Sequence, residues 1–358
     1  MSFVLVNVER INIGSVKKGL FALVATLFMM MLAQSASAGA LRDRLLERRA
    51  ERQEQQDRQV TSEAAAGTTE DAGQNSMSTM DTHQFQGQNL PAGSRVLRDL
   101  HYGNDPRQTM DVYLPPATSE PGNKALPVIM MVHGGAWRTG SKNAAHVVQN
   151  KLARWLPKGF IFISVNYRML PDTLPLQQAA DVAVALADIQ QKAASWGADS
   201  TKVILMGHSA GAHLVALLAS SPSLLSAHGV VPWLGTVALD SAAYDIDKVM
   251  SARHYRFYDQ AFGRDPQVWR AASPFWQLTQ AGSPVMAVCS STRPDHPCLQ
   301  AQAYVSKAQG LGMRAVLLPQ AMSHADINHQ LGLDNDYTHA VENFMGTLDA
   351  SVRLRLLH

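Results

Sequence analysis

From residue 95 onward, short apolar runs alternate with stretches whose apolar positions recur at a helical period. The runs "RVLRDLHY" (95–102) and "MDVYL" (110–114) read as two early strands, joined by the turn Gly103-Asn104-Asp105-Pro106. "PVIMMV" (127–132) is apolar throughout, as a central strand buried on both faces would be. A helix is predicted over 144–156, followed by the strand "FIFISV" (160–165). The next helix, over 176–194, carries Val182, Leu186 and Ile189 at i, i+4 and i+7. "KVILM" (202–206), a helix from Ala210, "LGTVAL" (234–239), a long irregular stretch and "PVMAVCS" (284–290) come next. A helix over 298–309, the strand "RAVLLP" (314–319) and a last helix over 337–349 complete the pattern. Strands alternating with helices predict an α/β domain: a mostly parallel eight-stranded sheet with helices on both faces and the two early strands at one edge.

The chain before this domain has another character. Lys17-Lys18 precede the apolar run "GLFALVATLFMMMLAQ", which ends near Ala36-Ser37-Ala38. A basic segment, a short apolar core and a small-x-small site predict a signal peptide over 1–38, and hence a periplasmic or secreted protein. The alternative is an inner-membrane anchor left uncleaved. After cleavage no stable membrane span is expected. "LRDRLLERRAERQEQQDRQV" (41–60) reads as a solvated charged stalk, and 61–93 lacks any apolar period, so 39–93 is taken as linker. The folded domain is placed at 94–350, with 351–358 as a C-terminal tail.

A formal charge of +2 over 358 residues gives no reason to expect a nucleic-acid partner. The two cysteines, Cys289 and Cys298, do not match a zinc pattern. In an exported chain they are expected to pair as a disulfide.

The chemistry concentrates where strands end. Gly207-His208-Ser209-Ala210-Gly211 lies between a buried strand and a buried helix. A sharp strand-to-helix corner leaves no room for a Cβ on either flank, and it sets a serine hydroxyl above a helix N-terminus. Ser209 is therefore the candidate nucleophile. His133-Gly134-Gly135-Ala136-Trp137 follows the strand 127–132, and its N–H groups together with that of Ala210 would form an oxyanion hole. His133 is expected to tie this loop by a ring hydrogen bond. Asp295, in "SSTRPDHPC", and His324, in "SHADINH", each follow a later strand and complete the chain order Ser–Asp–His. Asp240 and Asp245 compete for the acid and His329 for the histidine. His324, Asp326 and His329 could also be read as a metal site, but nothing else supplies ligands at metal spacing.

Taken together, "HGGAW" (133–137), "NYR" (166–168) with Pro175 and Asp181, "GADSTKVILMGHSAGAHL" (197–214) and "SH" (323–324) resemble the α/β-hydrolase superfamily. The nearest group is its esterase/lipase branch, with acetylxylan/feruloyl esterase-like and hormone-sensitive-lipase-like members. "HGGxW" with "GHSAGAHL" is also similar to kynurenine formamidases. The resemblance covers roughly residues 95–350. It implies the α/β-hydrolase fold, Ser209 as nucleophile, His324 as base, and Gly135, Ala136 and Ala210 as oxyanion donors. The family's acid sits in a G-x-x-D context, which falls here on Thr292-Arg293-Pro294-Asp295, with threonine in place of glycine. The implied activity is hydrolysis of a small-molecule or carbohydrate acyl ester without metal or cofactor. An arylformamidase or a catalytically idle interaction protein on the same fold are the other readings. Substrate selection is assigned to the irregular region 245–282, with Tyr255, Phe257, Tyr258, Phe262, Trp269, Phe275 and Trp276, although those aromatics fit a core role better.

Overall fold

The computed structural model describes residues 90–116 and 125–357. The contacts divide the chain into Met1–Asn75 and Ser76–His358, and the described residues all fall in the second unit. The expected signal peptide, and the linker up to residue 89, lie outside them.

Eight strands form one sheet: β1 (Arg95–His101), β2 (Thr109–Leu114), β3 (Leu126–Val132), β4 (Ile161–Val165), β5 (Ala198–His208), β6 (Gly235–Leu239), β7 (Val285–Ser290) and β8 (Ala315–Gln320). Their order is β1-β2-β4-β3-β5-β6-β7-β8. β2 runs antiparallel to both β1 and β4, and every other neighbouring pair is parallel. The eight strands, their mostly parallel arrangement and the early hairpin at the edge are as the alternation of runs and helical segments predicts.

The helices are α1 (Ala145–Trp155), α2 (Pro175–Lys192), α3 (Ala210–Ser220), α4 (Pro222–Ala227), α5 (Ile246–Met250), α6 (Arg256–Phe262), α7 (Pro266–Ala271), α8 (Pro274–Gln277), α9 (Pro297–Gly310), α10 (His324–His329), α11 (Asp336–Gly346) and α12 (Ala350–Leu356). Alternate residues of the central strands feed two separate cores. Val128, Met130 and Val132 of β3 pack with Val182 and Leu186 of α2 and Leu214 of α3. Ile129 and Met131 pack on the other face with Leu152 and Trp155 of α1 and Val341 of α11. This two-sided burial is why β3 is apolar at every position. It also hides the usual period-two signal of a strand.

The C-terminus differs from expectation. Residues of the supposed tail form α12, whose Val352 is buried in the second core. Asp349 caps this helix by accepting from the N–H groups of Ser351 and Val352. A helix of seven residues spans barely two turns and leaves little periodicity to read.

Cys289 of β7 is bonded to Cys298 at the start of α9, with the two Cα atoms 5.2 Å apart. The bond closes the loop after β7 across nine positions. Replacing both cysteines by alanine should lower the unfolding free energy by about 2–3 kcal/mol, the loop entropy expected for so short a ring. Urea unfolding of the oxidised protein and the double variant measures this. Coincident midpoints would show that the bond does not restrain the unfolded chain.

Candidate active site

The corner between β5 and α3 is sterically closed. A Cβ on Gly207 would lie 2.4 Å from the carbonyl oxygen of Gly211, and one on Gly211 would lie 2.3 Å from that of Val132. Both positions therefore require glycine. Between them Ser209 takes φ 56°, ψ −117°, a conformation that L-residues rarely hold. Two backbone bonds secure it: its N–H donates to Leu239 O at 2.9 Å, and its carbonyl accepts from His213 N–H at 3.1 Å. The strained corner is thus locked to the end of β6 and to the first turn of α3.

The loop after β3 is folded against this corner. A Cβ on Gly134 would lie 2.9 Å from Ser209 Cβ, so the loop backbone and the serine are in direct apposition. Gly135, Ala136 and Trp137 all have positive φ (113°, 50° and 60°), which curls the chain back on itself. The Gly135 carbonyl accepts from Arg138 N–H and Thr139 N–H, closing the turn. His133 Nδ1–H donates to Gly134 O at 2.7 Å, and its ring stacks on Tyr167 at 4.5 Å. Burial pushes the His133 imidazole down to about 4, so this tie stays neutral. Among the hydrogen bonds of the described residues, none engages the N–H of Ala136 or Ala210. Unpaired N–H groups beside a serine hydroxyl, one of them opening a helix, form a cradle for an oxyanion.

Trp137 anchors the far end of the loop. Its indole N–H donates to His213 Nδ1 at 3.1 Å, and His213 Nε2–H donates to Ala272 O at 2.7 Å. Phe262, at 5.0 Å between ring centroids, and Tyr258, at 5.8 Å, pack against the same indole. These two aromatics of the irregular region are buried core. Tyr255, Phe257, Trp269 and Phe275 are half-buried and Trp276 is exposed.

His324 opens α10 directly after the cap residue Ser323, whose hydroxyl accepts from Asp326 N–H. His324 Nε2 accepts from Ser209 Oγ–H at 2.9 Å. The opposite ring nitrogen, Nδ1, faces a carboxylate and so carries the proton. It donates to Asp240 Oδ2 at 2.6 Å. Asp240 follows β6, and its side chain is fully buried. Its Oδ1 accepts from Ser290 N–H at 2.7 Å, and Oδ2 accepts a second bond, from Arg293 Nη1 at 2.8 Å. Burial alone would raise the Asp240 carboxyl. The His324 hydrogen bond, the nearby charges of Arg293 and His324 and the Ser290 N–H together outweigh it and hold the group well below the usual carboxylate range.

The expected contact between Asp295 and His324 is not formed, and this is a correction. Asp295 instead takes a two-pronged ion pair with Arg293, through Nε at 3.0 Å and Nη2 at 2.5 Å. The guanidinium stands where the acid was expected, and the histidine is reached from one strand earlier. Asp245, the other rival, caps α5 by accepting from Lys248 N–H. The three residues of the metal reading go separate ways. His324 joins Ser209 and Asp240, Asp326 bonds Ser323, and the His329 ring meets that of His146. Among the described residues no group of three or more His, Cys, Asp or Glu is gathered for a metal ion.

Two further groups support the histidine and went unremarked in the sequence. His208, on the β5 side of the corner, donates from Nε2 to the carbonyl of His324 at 3.0 Å, its ring 4.6 Å from that of His324. Lys151 of α1, fully buried, donates to the backbone and side-chain oxygens of Asn328 at 2.8 and 2.9 Å, and so holds α10 from below. The family motif "NYR" with Asp181 proves structural: Arg168 pairs with Asp181 at 2.6 Å.

This sheet order, with a serine at the corner after β5 and a histidine after β8, defines an α/β-hydrolase. Solved structures agree on the fold. Esterase B from Lactobacillus Rhamnosis is 21% identical with a TM-score of 0.60, covering 75% of this chain and 89% of that one. A truncated carbohydrate esterase from gut microbiota is 17% identical with a TM-score of 0.61, covering 74% and 99%. The BD-FAE family matches residues 110–306, more than half of the chain, and the protein belongs to that family. Esterase LipC of Mycobacterium tuberculosis is 27% identical over 233 residues, 61% of this chain and 56% of LipC. A probable isoprenylcysteine alpha-carbonyl methylesterase of Oryza sativa is 32% identical over 122 residues, 34% of this chain and 28% of that one. The chain thus spans little more than half the length of LipC, and less of the methylesterase.

Lys151 makes the support beneath α10 sensitive to pH. Burial pushes its ammonium down to about 7 from 10.5 in the unfolded chain. Between those values the unfolded chain binds more protons, so stability rises with pH across this window and is flat below it. Relative to Lys151→Met, the wild type should gain about 2 kcal/mol between pH 7 and pH 9. Urea titrations at the two pH values measure the difference. Parallel stability curves for the two proteins would show that Lys151 stays charged in the fold.

Proposed function

We propose that the protein is a serine carboxylic-ester hydrolase working through Ser209, His324 and Asp240. The observation that carries this reading is the unbroken series Ser209 Oγ to His324 Nε2 at 2.9 Å and His324 Nδ1 to Asp240 Oδ2 at 2.6 Å. Ser209 Oγ attacks the ester carbonyl as its proton passes to His324 Nε2. The negative oxygen of the tetrahedral intermediate is received by the N–H groups of Gly135, Ala136 and Ala210. Collapse breaks the C–O bond to the alcohol, which leaves with the proton held by His324. Water then gives a proton to His324 and attacks the acyl-Ser209 carbonyl; the acid is released and the serine restored. Asp240 keeps the imidazole in the tautomer that leaves Nε2 free, and stabilises its cation.

The substrates proposed are short-chain or carbohydrate-linked acyl esters. Support comes from relatives named as esterases, and from structural neighbours described as a carbohydrate esterase and as an esterase inhibited by a tributyrin phosphonate. We assign the protein to the periplasm or the exterior. The support is the basic and apolar segment ending near Ala36-Ser37-Ala38, together with the Cys289–Cys298 bond. Among the described residues no helix is long and apolar enough to cross a membrane.

A fluorophosphonate probe should label Ser209 stoichiometrically. Ser209→Ala should lose labelling and several orders of magnitude in ester turnover while its thermal unfolding stays close to wild type. Hydrolysis of p-nitrophenyl acetate should exceed that of N-formylkynurenine. Wild-type ester turnover by folded Ser209→Ala would refute the assignment, and a faster reaction with the formamide would move the protein to amide hydrolysis.

A further inference from the structure

The loop after β7 carries a charge pair for which the Ser209–His324–Asp240 series has no stated use. Arg293 lies between the two carboxylates, its side chain 17% exposed, with Nη1 on Asp240 and Nε and Nη2 on Asp295. The same Nη1 lies 3.0 Å from His324 Nδ1. Both nitrogens are donors, so this contact is not a hydrogen bond. They converge on one oxygen, Asp240 Oδ2. The backbone carbonyl of Asp240 also accepts from Nη1, at 3.2 Å.

Two consequences follow from the charges. A carboxylate that accepts from a guanidinium and an imidazole on one oxygen has its orientation fixed from two directions. A guanidinium in contact with the imidazole also opposes a second positive charge there, and Asp295 offsets part of that opposition.

We propose that Arg293 is a positioning residue for the proposed esterase reaction: it fixes the Asp240 carboxylate against His324, while Asp295 acts as its counter-anion rather than as the acid. This rests on the reading of Ser209, His324 and Asp240 given above. The other groups facing His324 and Asp240 are unchanged by the variants below. His208 is kept neutral by burial, Lys151 acts on it from α1, and the phenols of Tyr244, Tyr258 and Tyr337 are raised by burial and stay protonated.

The test is the pH profile of kcat/KM for p-nitrophenyl acetate in Arg293→Gln, Arg293→Lys, Asp295→Asn and wild type. Thermal unfolding is recorded on each. Arg293→Gln removes a cation from beside the imidazole, which is then protonated more easily, so the acid limb moves to higher pH. Asp295→Asn leaves that cation uncompensated and moves the limb to lower pH. Shifts of about half a pH unit or more are expected in the two directions. Arg293→Gln should also lower kcat by about 10–100-fold, the range of a lost charge-assisted hydrogen bond, with KM nearly unchanged, and Arg293→Lys should recover part of it. A purely structural role would lower stability and leave both limbs in place. Limbs that coincide with wild type, or move the same way, overturn the proposal. Should Arg293→Gln fail to fold, an unmoved limb in Asp295→Asn overturns it alone. Full turnover by folded Ser209→Ala would overturn the esterase reading itself, and this inference with it.

Discussion

A carboxylate with no solvent exposure, at the end of an apolar strand, survives only where donors meet it. Asp240 meets three: the N–H of Ser290, the guanidinium of Arg293 and the imidazole of His324. These come from the end of β7, the loop after it and the helix after β8. One buried charge therefore ties together three successive strand ends. Removing the Arg293 guanidinium would take away its fixed counter-charge, and breaking a buried ion pair is destabilising by roughly 3–5 kcal/mol. The register of β6 matters for the same reason, because Leu239, one residue earlier, holds the amide of Ser209. The amide of Ser209 and the imidazole of His324 are thus held by consecutive residues, Leu239 and Asp240.

The other half of the site is held by neutral contacts. Three consecutive positive φ values bring the loop after β3 against Ser209, and two of them fall on residues with a Cβ. Such a shape persists only when its surroundings over-determine it. Here the turn bonds to Gly135 O, the ring of His133 and the Trp137–His213–Ala272 series do so. Both histidines are pushed down to about 4 by burial, so this scaffold keeps its hydrogen bonds at neutral pH.

Most of the fold was legible in the chain. Runs such as "PVIMMV" and "LGTVAL" are too apolar for a one-sided strand, and their alternation with helical segments leads to a mostly parallel sheet covered on both faces. Ser209 and its two glycines were legible because the geometry excludes every other residue type at the flanks. The partner of His324 was not. Chain order and a family loop pattern both pointed to Asp295, but order says nothing of which carboxylate a nearby cation already occupies. The signal lay in composition: Asp240 sits in "VALDSAAY", where a charge must be buried and hence partnered, whereas Asp295 sits two residues from Arg293 in a polar loop. Lys151 and His208 gave no pattern at all. Their roles depend on the packing of α1 and β5 beneath α10, which is not local in sequence.

The central claim is that the histidine is oriented from the end of β6 and not from the loop after β7. The most direct measurement is kcat for short-chain ester hydrolysis by Asp240→Asn, compared with Asp295→Asn at the pH optimum of each. An amide at 240 would favour the wrong imidazole tautomer, and kcat should fall by about 10³–10⁴. The amide at 295 should leave kcat within about tenfold of wild type, since it weakens only the partner of Arg293. Near wild-type turnover in Asp240→Asn, with the large loss in Asp295→Asn instead, would contradict the arrangement.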